Sequence, residues 1–239
     1  MRKDLLTIRE AAGLLGVSID TLRRWDKSGK LTATRKNGGT HRYYVKEDLE
    51  LFSNDLLKLA NDWAISGGDL PSEFYCPNSA VFQARLFKMQ DLLIASGKAS
   101  QIFSLIVAAA GEIGNNSYDH NLGNWPDVPG TFFGYDINKS IIILADRGLG
   151  ILKTLSRVRP SLANHEDVLR IAFTEMISGR APEDRGNGLK FVRKIISENP
   201  IALFFQSGDG KLRMEGNNPD LNIEKSKTNI QGCLAVIKF

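Results

Sequence analysis

Glu112, Asn116, Asp119 and His120 crowd into one stretch, Glu112-Ile113-Gly114-Asn115-Asn116-Ser117-Tyr118-Asp119-His120. On a helix that turns about 100° per residue, Glu112, Asn116 and Asp119 fall within roughly 60° of one face. A carboxylate and a carboxamide one turn apart can share a site. The first polarises a water and the second ligates a hard cation. Asn116 or His120 alone reads equally well as a satisfied polar group between packed helices. Two glycine-bearing loops follow, Asp146-Arg147-Gly148-Leu149-Gly150 and Arg185-Gly186-Asn187-Gly188-Leu189. Glycines let the backbone approach a ligand closely, and a helix that starts after such a loop favours an anion at its N-terminus. Each loop alone is weak evidence and reads as well as an ordinary turn.

The elements that must hold these residues can be read from periodicity and punctuation. Helices are expected at Ser79–Ser96 and Ser100–His120. A polar loop runs from Asn121 to Gly130, and strands follow at Gly130–Asp136 and Ser140–Ala145. Ile141-Ile142-Ile143-Leu144 has the unbroken apolar run of a buried strand. Residues 152–185 read as polar and irregular, with one helix near His165–Ser178. A helix at Leu189–Glu198 and strands at Ile201–Gln206, Leu212–Glu215 and Gly232–Phe239 complete this part.

The first sixty residues have a different character. They hold 12 Lys+Arg against 8 Asp+Glu, whereas residues 61–239 hold 19 of each. The whole excess of +4 thus sits at one end, as in a small nucleic-acid-binding head on a neutral body. Thr7 caps a helix up to Gly16, with Glu10 closing a capping box. Gly16-Val17-Ser18 turns the chain, and Ser18 caps a second helix, Ile19–Ser28, that stops at Gly29. This is a helix-turn-helix. Leu31–Val45, with Gly38-Gly39 inside, reads as a β-hairpin wing, and Glu47–Leu59 as a further helix. Thr21, Arg23, Arg24 and Lys27 would point outwards from the second helix to base edges, with Trp25 turned to the core. Arg35, Lys36, His41, Arg42 and Tyr43 would extend the surface along the wing to flanking phosphates.

Cys76 and Cys233 lie in no CxxC or Cys/His cluster and read as buried reduced thiols. The N-terminus lacks the apolar core of a signal peptide, and the longest apolar run, Ile102–Ala110, is too short to span a bilayer. A cytoplasmic protein without membrane contact is expected. The expected domains are 1–60 for the head, 61–74 for a linker and 75–239 for the body.

Two resemblances follow from these residues. Thr7-Ile8-Arg9-Glu10-Ala11-Ala12, Thr21-Leu22-Arg23-Arg24-Trp25 and Gly38-Gly39-Thr40-His41-Arg42-Tyr43 resemble the MerR/excisionase-like winged helix-turn-helix. That family implies binding to double-stranded DNA, usually as a homodimer. The ordered helix and glycine boxes of residues 75–239 resemble the GHKL ATPase superfamily, which includes DNA gyrase B and the histidine kinases. The fold so implied is α/β, an α+β sandwich of the GHKL (Bergerat) type, with ATP and Mg²⁺ as cofactors. By resemblance, Glu112 matches the general base and Asn116 the Mg²⁺ ligand, with Asp119 and His120 on the same helix beside the nucleotide. Asp146 matches the acid that accepts the adenine amino proton, and Gly148 and Gly150 the loop against the base. Gly186, Asn187, Gly188 and Leu189 match a shortened phosphate loop. The pattern departs from the family after Gly188, where Leu189-Lys190 replaces a third glycine. His41, His120 and His165 do not form a phospho-accepting site. An ATP-responsive, ATP-hydrolysing DNA-binding regulator is expected. An anti-sigma-like serine-protein kinase with a protein partner, and a transcription factor with an inactive nucleotide fold, are the alternatives.

Overall fold

The computed structural model describes residues 5–15, 17–29, 31–35, 39–46, 48–49, 55–97, 99, 101–176 and 187–239. The chain forms two compact units, residues 1–59 with 226–228, and residues 60–225 with 229–239.

In the first unit, β1 (Leu5–Thr7) leads directly into α1 (Ile8–Leu15). The capping box expected from the sequence is present: the Thr7 amide donates to Glu10 Oε2 at 2.7 Å, and the Glu10 amide to Thr7 Oγ1 at 3.3 Å. Those bonds hold the Glu10 carboxyl below its usual range. Ser18 caps α2 (Ile19–Ser28), which ends at Gly29 in the left-handed conformation. Ala11, Ala12, Leu22, Leu31, Ala33, Tyr44 and Leu49 make the core of this unit. The expected wing is altered. β2 (Tyr43–Val45) pairs along its length with β1, in register Leu5↔Val45, while the hairpin contact is one bridge, Thr34↔Tyr43. Leu6 packs against the core from β1, and Leu31 and Ala33 of the hairpin arm are buried in the same core. Lys36 and Gly38 lie outside the described residues.

Lys46, Asp48 and Leu49 are helical, as expected for Glu47–Leu59, and α3 (Asp55–Ser66) runs from the last residues of the first unit into the second, through the first part of the expected linker. Ala60, Trp63 and Ala64 follow helical spacing and are buried, so packing extends the helix into the stretch expected to be a linker. β3 (Tyr75–Cys76), α4 (Ser79–Ser96), α5 (Phe103–Asn121), β4 (Thr131–Asp136) and β5 (Ile141–Asp146) follow. Then come α6 (Gly150–Leu155), α7 (His165–Thr174), α8 (Gly188–Glu198), β6 (Ala202–Met214) and β7 (Asn222–Lys238). The short α6 lies in a stretch expected to be irregular. The separate strands expected at 201–206 and 212–215 are one strand, because β7 is long enough to pair with both, across register shifts at Ser207/Gly208 and Gly208/Gly210.

The five-stranded sheet has the order β3-β4-β5-β7-β6 with every pairing antiparallel, giving a mixed α/β architecture. β5 is buried along its whole length, as its apolar run requires. Ile142 and Leu144 face the main core together with Phe82, Met89, Ile106, Phe173 and Ile196, drawn from α4, α5, α7 and α8. α5 is therefore held between α4, the sheet and α8, and its face is fixed. Gln83 Nε2 donates to Asn115 Oδ1 at 2.7 Å, tying α4 to α5.

The tightest helix contact is at Gly114, where an added Cβ would run into the Phe82 ring. That ring also packs edge-on against Phe133, at 5.2 Å between centroids, and cannot simply move aside. Alanine would improve helix propensity by about 1 kcal/mol. Overpacking should outweigh this, so Gly114→Ala is expected to lose about 1–2 kcal/mol net in urea unfolding. Unchanged or increased stability would mean that the α4–α5 contact yields easily.

Candidate functional site

Residues from α5, β5 and β7 meet around Asp146. This carboxylate ends β5 and is 3% exposed. The Ser117 hydroxyl donates to Oδ2 at 2.8 Å and the Gly148 amide to Oδ1 at 2.8 Å. Burial pushes the Asp146 carboxyl up, while Ser117 and the amides of Gly148 and Cys233 pull it down. The β5–β7 register sets Asp146 opposite Cys233. It also places Gly232, at φ +73°, where a Cβ would strike Asp146 itself. That position combines a left-handed backbone with no room for a side chain, so glycine is required.

The following loop is tied down on several sides. Leu149 N–H donates to Asn121 Oδ1 at 2.7 Å, and Asn121 Nδ2 donates to the Ser117 carbonyl at 2.7 Å. Any Cβ at Gly148 would collide with the Asn121 amide. Gln231 Nε2 donates to the Gly148 carbonyl at 3.0 Å, and Ile151 N–H to Ser207 Oγ at 3.0 Å. Buried Arg147 donates through Nη1 to the carbonyls of Trp63 and Ala64, and its Nε reaches Asp127 at 2.9 Å. Gly150, at φ +72°, opens α6.

Glu112 and Asn116 converge on Gly188, the first residue of α8. An atom at the Gly188 Cβ position would lie 2.7 Å from Glu112 Oε2 and 3.2 Å from Asn116 Nδ2. Both side chains are half-buried, and neither makes a side-chain hydrogen bond among the described residues. They are not satisfied core groups. Asn187 precedes the helix without a side-chain cap, leaving the first amides of α8 open. Lys190, one turn on, has its Nζ shielded from solvent with no hydrogen-bond partner among the described residues, and burial pushes its ammonium down. A shielded cation of this kind calls for an anion.

The helix and glycine residues singled out from the sequence are thus only partly gathered. Glu112, Asn116 and Gly188 come together, and Leu189 lies beside them on α8. Asp146, Gly148 and Gly150 form the second cluster, joined to α5 through Ser117 and Asn121. Asp119 is exposed and His120 is half-buried, its ring pushed down by burial and then by Arg157. Gly186 lies outside the described residues. Sequence reasoning missed Ser117, Asn121, Ser207, Gly232 and Lys190. Ser117 and Asn121 carried a faint signal, one turn apart on the helix already singled out; the others depend on sheet register or on burial.

In the first unit, Leu22 and Asp26 occupy the inner face of α2, which leaves Arg23, Arg24 and Lys27 exposed. Arg23 pairs with Asp20 at 2.8 Å in solvent, an interaction worth little. Thr21 is half-buried and shares a hydrogen bond with the capping Ser18, 2.9 Å between hydroxyls. Of the wing residues, His41 is exposed and Tyr43 half-buried on β2. Arg35 and Arg42 both bond Asp26 Oδ2, at 2.7 and 2.8 Å, and the Ala33 amide reaches Oδ1 at 3.0 Å. They are wing cations whose positions are set by one buried carboxylate. Burial opposes ionisation of Asp26, but the Ala33 amide, Arg42 and Arg35 outweigh it and hold the carboxyl far below the usual carboxylate range.

Residues 7–44 match the family described as MerR family regulatory protein. This unit is a MerR-type helix-turn-helix, the fold of a DNA-binding regulator. The chain is also similar to the type II methyltransferase M.Eco47II of Escherichia coli, 40% identical over 63 residues. The shared stretch covers 26% of this chain and 15% of the methyltransferase. Among the described residues no helix is long and apolar enough to cross a membrane, and no group of three or more His, Cys, Asp or Glu could hold a metal ion.

Asp26 generates a test. Its folded pKa lies far below the unfolded value of about 3.9, so its contribution is full at neutral pH, begins to fall below about pH 4 and is lost only as pH drops through the folded pKa. Asp26→Asn should cost the first unit about 2–3 kcal/mol at pH 7 and somewhat less at pH 3. Hydrogen exchange at the Ala33 amide reads this directly. Equal protection in variant and wild type at pH 7 would remove Asp26 as the organiser of the wing.

Proposed function

We propose that the protein is a DNA-binding regulator, with residues 1–60 as its DNA-binding head and 75–239 as a GHKL-type domain that binds ATP with Mg²⁺. The observation that carries this reading is the pair Glu112 and Asn116, half-buried, without a side-chain hydrogen bond among the described residues, and facing the backbone of Gly188 at the start of α8. The open helix N-terminus and the unpartnered Lys190 ammonium are suited to phosphate oxygens. Asp146 is buried and fixed in orientation, as an acceptor for an exocyclic amino group needs to be. Magnesium, when bound, neutralises phosphate charge, and it commonly takes only one or two protein ligands, here Asn116. Glu112 then orients a water and accepts its proton. Gly148, Gly150 and Gly188 leave room for backbone approach, with Gly186, Asn187 and Leu189 flanking the phosphates. His120 and the exposed Asp119 belong to the rim. On the head, Arg23, Arg24 and Lys27, with Thr21 behind them, face the base edges. Arg35, Lys36, His41, Arg42 and Tyr43 contact flanking phosphates. The nucleotide state modulates DNA or partner binding in the cytoplasm. Methyl transfer is not extended to this chain, because the shared stretch is a small part of the methyltransferase.

Calorimetric titration with ATP·Mg²⁺, then DNA binding with and without it, tests the reading. No heat and no competition by ATP analogues would leave the second unit as a framework without nucleotide. Asp146→Asn should weaken ATP binding about tenfold or more, because a charge-assisted bond is lost. Glu112→Gln should retain ATP while phosphate release falls about 10²–10⁴-fold. Wild-type turnover in that variant would place water activation elsewhere.

Arg24→Ala should weaken DNA binding across sequences and lower the slope of log affinity against log salt by about one. An unchanged slope would remove Arg24 from the interface.

A further inference from the structure

α4 is apolar on two sides. Phe82, Leu86, Met89 and Leu93 fill the core, at spacings of three and four. The opposite side exposes Phe87 at 61%, Leu92 at 43% and Ile94 at 53%, together with Ala84 and Ala95. A surface helix ordinarily keeps one apolar stripe and turns charge outwards. Here the outward charges are Lys88 and Asp91, and neither makes an ion pair among the described residues.

Ala84, Lys88, Asp91 and Ala95 sit at i, i+4, i+7 and i+11, a single seam along the helix. The seam is self-complementary when read backwards. An antiparallel two-fold contact with its axis between Met89 and Gln90 sets Lys88 of each copy opposite Asp91 of the other. The same axis sets Ala84 opposite Ala95, small residues that let the helices approach. Phe87 and Ile94 share a flank seven residues apart. The two-fold brings Phe87 of one copy within about 3 Å in height of Ile94 of the other. The two Leu92 side chains lie on the second flank, about 7.5 Å apart in height. One axis therefore forms the Lys88–Asp91 ion pair twice and covers Phe87 and Ile94. A two-fold interface must be self-complementary in this way.

The geometry points to the outer face of α4 as the surface through which a second copy of this chain docks, antiparallel and two-fold, with Lys88–Asp91 ion pairs at its centre. This surface stands independently of the nucleotide reading, because none of its residues belongs to the Asp146 or Glu112 clusters.

Sedimentation equilibrium of the full chain, scanned to about 100 µM, is the test, since a single helix face suits weak association. The wild type should dimerise. Lys88→Glu and Asp91→Lys should each raise the dissociation constant about tenfold or more, because each creates two like-charge contacts. The double variant K88E/D91K reverses both charges and should recover the wild-type constant within about threefold. Both positions are exposed, and circular dichroism verifies that every variant folds. A monomeric wild type overturns the proposal. So does a dimer insensitive to the single reversals, or a double variant that stays dissociated.

Discussion

A carboxylate almost without access to water has to be answered by donors, and in the second unit that carboxylate is Asp146. Its two oxygens are met by the Ser117 hydroxyl of α5 and the Gly148 amide of its own loop. These bonds demand that α5 lie against the end of β5 and that β7 present a residue without a side chain at Gly232. Asn121 extends the arrangement by clamping the next turn of the loop to the same helix. Because the donors come from different elements, removing one leaves a buried charge under-bonded, and the loss exceeds that of one hydrogen bond. The loop from Asp146 to Gly150 is thus rigid, as a pre-organised binding surface should be.

The same helix then presents Asn116 and, one turn nearer its N-terminus, Glu112. Their position relative to α8 follows from apolar packing. Ile106, Ala109, Ala110 and Ile113 on α5, and Val192, Ile195 and Ile196 on α8, share one core. The unpaired polar side chains sit where that packing ends, at the start of α8. Two kinds of constraint therefore meet on α5: polar satisfaction at its C-terminal end and close packing along its middle.

A buried carboxylate organises the first unit as well. Asp26 collects Arg35, Arg42 and the Ala33 amide, which fixes the wing to the recognition helix. The exposed cations Arg23, Arg24 and Lys27 and the tethered cations Arg35 and Arg42 thereby have different characters. The first group is solvated. The second is pre-positioned, so less rotamer entropy is lost when a phosphate is met.

Local rules made much of this legible from the residues alone. The Thr7–Glu10 capping box, the Ser18 cap, the Gly29 stop and the buried run Ile141–Leu144 are written within a few neighbouring positions, and short-range physics determines them. The spacing of Glu112 and Asn116 likewise placed both on one helix face. Other features belong to tertiary structure because they join residues far apart in sequence. β2 pairs with the N-terminal strand in addition to bridging Thr34 of its own hairpin arm, a pairing that local turn signals could not announce. Asp26 looked like one more polar position on a helix and proved to be a hub, because its partners lie on the wing. Gly232 looked like a glycine in a strand until the β5–β7 register put Asp146 against it. Sequence by itself determined which elements form and which faces are polar, through hydrogen bonds and periodicity spanning a turn or two. Only the tertiary structure decided which polar groups would be satisfied and which, like Glu112 and Asn116, would be left open, because satisfaction depends on what distant segments bring to the same place.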